Sequence, residues 1–138
     1  MSEYSIVVGN LGTVATQLTR KEAYRDYAEW CKKSLDPESG RASGESVTLI
    51  SDGEPIKEFR CIVAKVEVTD TFGGESNYSW VRRYELRYPE GLHKQELMRR
   101  IKALIGWTGM RCEVSNYGDM IDIRPRGICQ VCFVTWEV

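Results

Sequence analysis

The chain has 138 residues, 42% of them hydrophobic and 28% charged, with a formal net charge of −1. That length supports one compact domain, or two very small ones sharing a core, and the composition is that of a folded globular protein rather than a disordered one. A charge this near balance excludes a nucleic-acid binder or an acidic mimic recognisable by net charge alone, although residues 1–59 carry 7 basic and 10 acidic side chains and residues 60–138 carry 12 and 10.

No stretch approaches the roughly 20 apolar residues of a membrane span. Residues 1–5 lack the basic and apolar regions of a signal peptide, so the expected location is the cytoplasm, without a membrane partner. The five cysteines are odd in number and not spaced as a disulfide framework. In a reducing compartment they are expected to serve as small, half-buried apolar side chains.

Residues 5–8 are β-prone, Gly9-Asn10-Leu11-Gly12 supplies a turn, and residues 13–16 can return as a partner strand. Thr19-Arg20-Lys21-Glu22 has the spacing of a capping box. Behind it Ala23, Tyr24, Tyr27, Ala28, Trp30 and Cys31 recur at helical spacing, until Asp36-Pro37 stops the helix. After a polar loop over residues 38–46, Asp52-Gly53 between two β-prone runs (47–50 and 56–59) predicts a hairpin.

The run from Phe59 to Val68 is apolar on both alternating sides and predicts one continuous strand, buried on both faces or shared between two sheets. Residues 71–77 are expected to form a long hairpin tip. Alternation resumes from Tyr78 to Tyr88, ends at Pro89-Glu90-Gly91, and gives way to a second helix over residues 92–105 with Gly106 as C-cap. Strands around 111–114 and 120–123 flank a turn, and a last β-prone run covers 128–138. Residues 5–8 and 128–138 are the expected sheet edges.

The fold class is therefore α+β: two antiparallel ββαββ-like modules sharing or abutting a sheet, with one helix each. Residues 1–59 form the N-terminal module and residues 60–138 a ββαβββ-like C-terminal one, in one unit without a linker.

Cys129-Gln130-Val131-Cys132 matches C-x-x-C, but it lies in a β run where residues three apart face opposite ways, and core packing is the expected role. His93, the sole histidine, is expected to be an exposed first-turn residue. Asp119 and Asp122 bracket a hairpin tip, where turn chemistry accounts for them. With no nucleophile motif, metal cluster or phosphate loop, the expectation is a non-enzymatic protein without metal or cofactor. What remains is a set of basic residues in the second half: Arg82, Arg83, Arg99, Arg100, Lys102, Arg124 and Arg126, interleaved with Tyr78, Trp80, Tyr84, Trp107 and Tyr117. Arginine with aromatics suits either a protein interface or nucleic acid, and the aromatic stripe would equally pack beneath the second helix.

The stretches IVVGNLGTV (6–14), GRASGESVTL (40–49) and DGEPIKE (52–58) resemble small uncharacterised proteins encoded by bacteriophages and prophages. LMRRIKALIG (97–106), with Tyr117-Gly118-Asp119 and Ile123-Arg124-Pro125, is similar to another recurring phage module. The resemblance carries no catalytic signature and no site residues. It implies an accessory protein acting in the bacterial host cytoplasm by binding a host macromolecule, in the first place a protein, with defence systems among the candidate targets and nucleic acid as the alternative partner.

Overall fold

The computed structural model describes residues 3–136. The protein is α+β, with two antiparallel sheets and two α-helices. Its contacts divide it into two compact units. The first runs to Ile62 and takes in Arg87–Gly91; the second comprises Val63–Leu86 and the residues from Leu92 onward.

In the first unit, β1 (Tyr4–Val8), β2 (Gly12–Leu18), β3 (Val47–Ser51) and β4 (Glu54–Phe59) form a sheet of order β2-β1-β3-β4. Alternation aims Ile6 and Val8 of β1, and their register partners Leu49 and Val47 of β3, at one face, and all four are fully buried. Helix α1 (Arg20–Leu35) packs there, adding Ala23 and the flanking rings of Tyr24, Tyr27 and Trp30. Each of those aliphatic side chains contributes about 1.5–3 kcal/mol by leaving water. The capping box forms: Thr19 Oγ1 accepts the Glu22 N–H at 3.3 Å, and Glu22 Oε1 accepts the Thr19 N–H at 3.1 Å. Asp52 and Gly53, at φ 50° and 82°, make the tight β3–β4 turn their dipeptide predicts.

The expected edge strand at residues 5–8 is internal. The 3₁₀ turn at Gly9–Leu11 folds β2 back onto one side of β1, while β3 pairs with the other.

In the second unit, β5 (Cys61–Phe72), β6 (Glu75–Pro89), β7 (Cys112–Asn116), β8 (Met120–Pro125) and β9 (Gln130–Trp136) form a sheet of order β6-β5-β9-β8-β7. β9 is therefore also internal, inserted between β5 and β8, and not an edge. Residues 1–2 and 137–138, part of the opening segment and of the predicted final strand, lie outside the described residues. Helix α2 (Lys94–Ile105) buries Ile101 and Ile105 and ends at Gly106, which adopts the left-handed φ of 80° that glycine takes without steric cost.

Three further expectations are corrected. The run from Phe59 is shared between the two sheets, but it breaks at Arg60, whose carbonyl accepts the Glu90 N–H at 2.9 Å, so two strands, β4 and β5, replace one. β5 is buried mainly on one side: Ala64, Val66 and Val68 are inside, whereas on the other face Lys65 is exposed and Thr69 is buried. The predicted seven-residue tip shrinks to Gly73-Gly74, because both glycines take positive φ and close a two-residue turn that keeps the flanking residues in the ladder.

Candidate functional site

The register of the second sheet sorts its residues onto two faces. Ala64, Val66 and Val68 of β5 stand opposite Trp136, Val134 and Cys132 of β9, and the last two oppose Ile121 and Ile123 of β8. This is the apolar, buried side. The alternate residues, Lys65, Glu67 and Thr69 of β5, Thr135 and Phe133 of β9, and Met120 and Asp122 of β8, occupy the other face. A concavity of about 740 Å³ opens there, with Phe133 and Met120 in its floor and Tyr78, Arg83, Tyr84 and Glu85 of β6 along its rim. Helix α2 contributes no residue to it.

Its charges are mixed. Arg83 Nε lies 3.4 Å from Glu67 Oε2, and Lys65 and Glu85 supply a second cation and a second anion. Neither sign dominates. The groove is an apolar strip bordered by balanced, internally engaged charges.

Tyr78 is held in an unusual way. It sits at φ 55°, a left-handed conformation that costs a bulky residue of order 1–3 kcal/mol. The neighbours on either side are fastened to one carboxylate across the hairpin. Asp70 Oδ1 accepts the Ser79 N–H at 2.9 Å, and its Oδ2 accepts the Ser79 hydroxyl at 2.6 Å and the Asn77 amide at 2.9 Å. Those bonds, led by the Ser79 hydroxyl and then Asn77, hold the Asp70 carboxyl well below the usual carboxylate range. Thr69 Oγ1 donates to the Trp80 carbonyl at 2.8 Å and secures the strand beyond. Tyr78 itself is left 53% exposed at the rim of the concavity.

The seven basic residues singled out in the sequence are spread over β6, α2, β8 and the following turn, and most are engaged within the chain. Arg83 pairs with Glu67. Arg99 and Arg100 both donate to Glu96, at 2.9 and 3.2 Å through Nε, which lowers that carboxyl to about 2. Lys102 Nζ donates to the Met110 carbonyl at 3.0 Å. Arg124 donates to Asp122 at 3.0 Å and to the Gly74 carbonyl. Arg82 stacks on Trp80, its guanidinium carbon 5.1 Å from the ring centroid. Arg126, after β8, makes no side-chain hydrogen bond or ion pair among the described residues.

The two cysteines of the C-x-x-C pair part company. Cys132 is buried in β9 and its thiol is pushed up to about 12, chiefly by burial. Cys129 is exposed and precedes the strand, which corrects the expectation that both pack in the core. Among the described residues no group of three or more His, Cys, Asp or Glu side chains is placed to hold a metal ion, and no helix is long and apolar enough to cross a membrane. His93 is the N-cap of α2, where Nδ1 accepts the Gln95 N–H at 3.2 Å. Asp122 belongs to Arg124 rather than to Asp119.

Sequence reasoning passed over Asp70, Glu67, Met120 and Phe133. The signal for the first was present: an Asp followed, across a Gly-Gly turn, by Asn and Ser at bonding distance in a hairpin. Comparison with protein-family models, with curated proteins and with solved structures finds no match for the chain.

Proposed function

We propose that the chain acts by recognition rather than catalysis, binding a segment of a partner protein on the grooved face of its second sheet. The observation that carries this reading is Tyr78, an aromatic side chain kept in a strained conformation at the rim of a 740 Å³ concavity by hydrogen bonds to one carboxylate. Backbone strain of this kind clusters at ligand-binding sites, and Tyr and Arg are the residues that dominate protein–protein binding energy. The apolar floor with a ring of compensated charges has the anatomy of an interface core and rim.

Nucleic acid is the second reading, favoured by the Arg82–Trp80 stack and by Arg126. It ranks lower because phosphate tracking depends on cations that gain by meeting phosphate, whereas Arg83, Arg99, Arg100 and Arg124 already face carboxylates. On this proposal each half is a ββαββ-like module, the second with an added strand. The resemblance to small phage-encoded proteins adds that the partner is a host protein in the bacterial cytoplasm.

Affinity capture from bacterial lysate, run in parallel with single variants, tests the proposal. A specific partner should be lost with Tyr78→Ala and with Phe133→Ala, both checked for intact fold by circular dichroism, and retained with Arg99→Ala. A partner that survives both groove variants overturns the reading. A low-salt mobility-shift complex that vanishes when Arg82, Arg99 and Arg100 become Ala would replace it with the nucleic-acid alternative.

A further inference from the structure

The two sheets have four edge strands, and three of them carry recognised obstacles to further pairing. β4 has Pro55 and a register shift. β2 has shifts against β1 and a left-handed Gln17 at φ 54°. β7 is only five residues long. β6 is different: it spans 15 residues, and its one left-handed residue, Tyr78, lies near its start. From Trp80 to Leu86 every residue is in strand conformation.

The direction of its backbone groups follows from one bond. The Trp80 carbonyl aims at β5, where Thr69 Oγ1 reaches it at 2.8 Å. Strand alternation then turns the N–H and C=O of Val81, Arg83 and Glu85 away from β5, to the outer edge.

We infer that this edge pairs antiparallel with β6 of a second copy of the chain, about a two-fold axis passing through Tyr84. The choice of occupant and register rests on charge. An antiparallel two-fold pairing must bring together residues of one face, so the axis has few places to fall. Centred on Arg82 or Arg83 it sets arginine against arginine, and centred on Glu85 it sets glutamate against glutamate. Centred on Tyr84 it places Arg83 opposite Glu85 of the second copy, twice, with the two tyrosines meeting at the axis. Those paired residues are the ones whose backbone groups point outward, so each Arg83–Glu85 pair also exchanges two main-chain hydrogen bonds. Arg83 would keep Glu67 as a neighbour, 3.4 Å away, and the ion pairs would join one network. The dimer is a continuous ten-stranded sheet. The edge shares Arg83, Tyr84 and Glu85 with the rim of the groove but not Tyr78, Met120 or Phe133, so substitutions at Tyr78 and Phe133 separate dimer formation from partner binding.

Sedimentation velocity of the full chain across the micromolar range tests it. The expected result is a monomer–dimer equilibrium that Glu85→Pro weakens at least about tenfold by removing an outward N–H. Glu85→Arg, which sets arginine against Arg83, should weaken it comparably, and Tyr78→Ala should leave it unchanged. A chain that stays monomeric throughout, or a dimer indifferent to Glu85→Arg, overturns the inference. If Glu85→Pro unfolds the protein, as far-UV circular dichroism would reveal, Glu85→Arg decides alone.

Discussion

The Asp70 carboxylate meets both the backbone N–H and the hydroxyl of Ser79, at 2.9 and 2.6 Å, and so fixes the chain immediately beyond Tyr78. A left-handed tyrosine at an exposed position serves no packing purpose, and the clasp is what keeps it there. Replacing Tyr78 by Gly should therefore raise the stability of the protein by about 1 kcal/mol, the strain released less the entropy glycine brings, while abolishing partner capture. Asp70→Ala should lower it. Urea unfolding of the three proteins checks both signs; a destabilised Tyr78→Gly would mean that the ring packs more than it strains.

Acid should weaken the fold through the same kind of contact. Glu96, between Arg99 and Arg100, is held at about 2 against an ordinary 4.5, and Asp70 is also depressed. A carboxyl held down in the folded state stabilises it fully above its unfolded value, and the contribution is lost as pH falls through the folded one. Stability should decline from about pH 4.5 toward pH 2. Glu96→Gln should make that decline shallower, read as denaturation midpoint against pH.

Thiol reactivity should separate the C-x-x-C pair. Cys129 is exposed and should label readily with a disulfide reagent, while Cys132, buried and pushed up to about 12, should label only after denaturation. Mass spectrometry of the labelled peptides would show it, and early modification at Cys132 would contradict the buried placement.

Helix α1 should depend measurably on its first turn. Thr19→Ala removes the oxygen that accepts the Glu22 N–H and should cost about 1 kcal/mol in thermal or urea unfolding. Lys32→Ala, on an exposed part of the same helix, serves as the control and should change little.

Gly9 leaves room for the side chain of a neighbour rather than serving its own backbone. A Cβ there would collide with the Glu45 carboxylate, which bonds the Asn10 amide at 2.7 Å and the Asn10 N–H at 3.3 Å. Gly9→Ala should cost about 1 kcal/mol by displacing it. In a Glu45→Ala background the same substitution should cost much less, a non-additivity that a double-mutant cycle measures.

The elements of this protein were readable from local pattern because each obeys a short-range rule. Thr19 and Glu22 are three residues apart, Asp52-Gly53 are adjacent, and Gly106 follows the last apolar turn of α2, so every partner involved lies within one helical turn or one hairpin. The arginines of the second half were legible as residues but not as a site. Whether Arg99 is available depends on Glu96, and whether Arg124 is available depends on Asp122 and on Gly74, fifty positions away.

Strand order marks the division most clearly. The β-prone runs at residues 5–8 and 128 onward announce strands, since side-chain periodicity is a property of the run itself. Their place inside the sheets, and the exposure of β6 instead, arise from which strand meets which across 39 to 72 residues, and hydrogen bonds between backbones carry no residue-type signature. In the same way the chain supplies Tyr78, Phe133 and Met120 as ordinary apolar residues. Only the order β6-β5-β9-β8 within one sheet brings them to a common groove, because surface shape comes from long-range pairing.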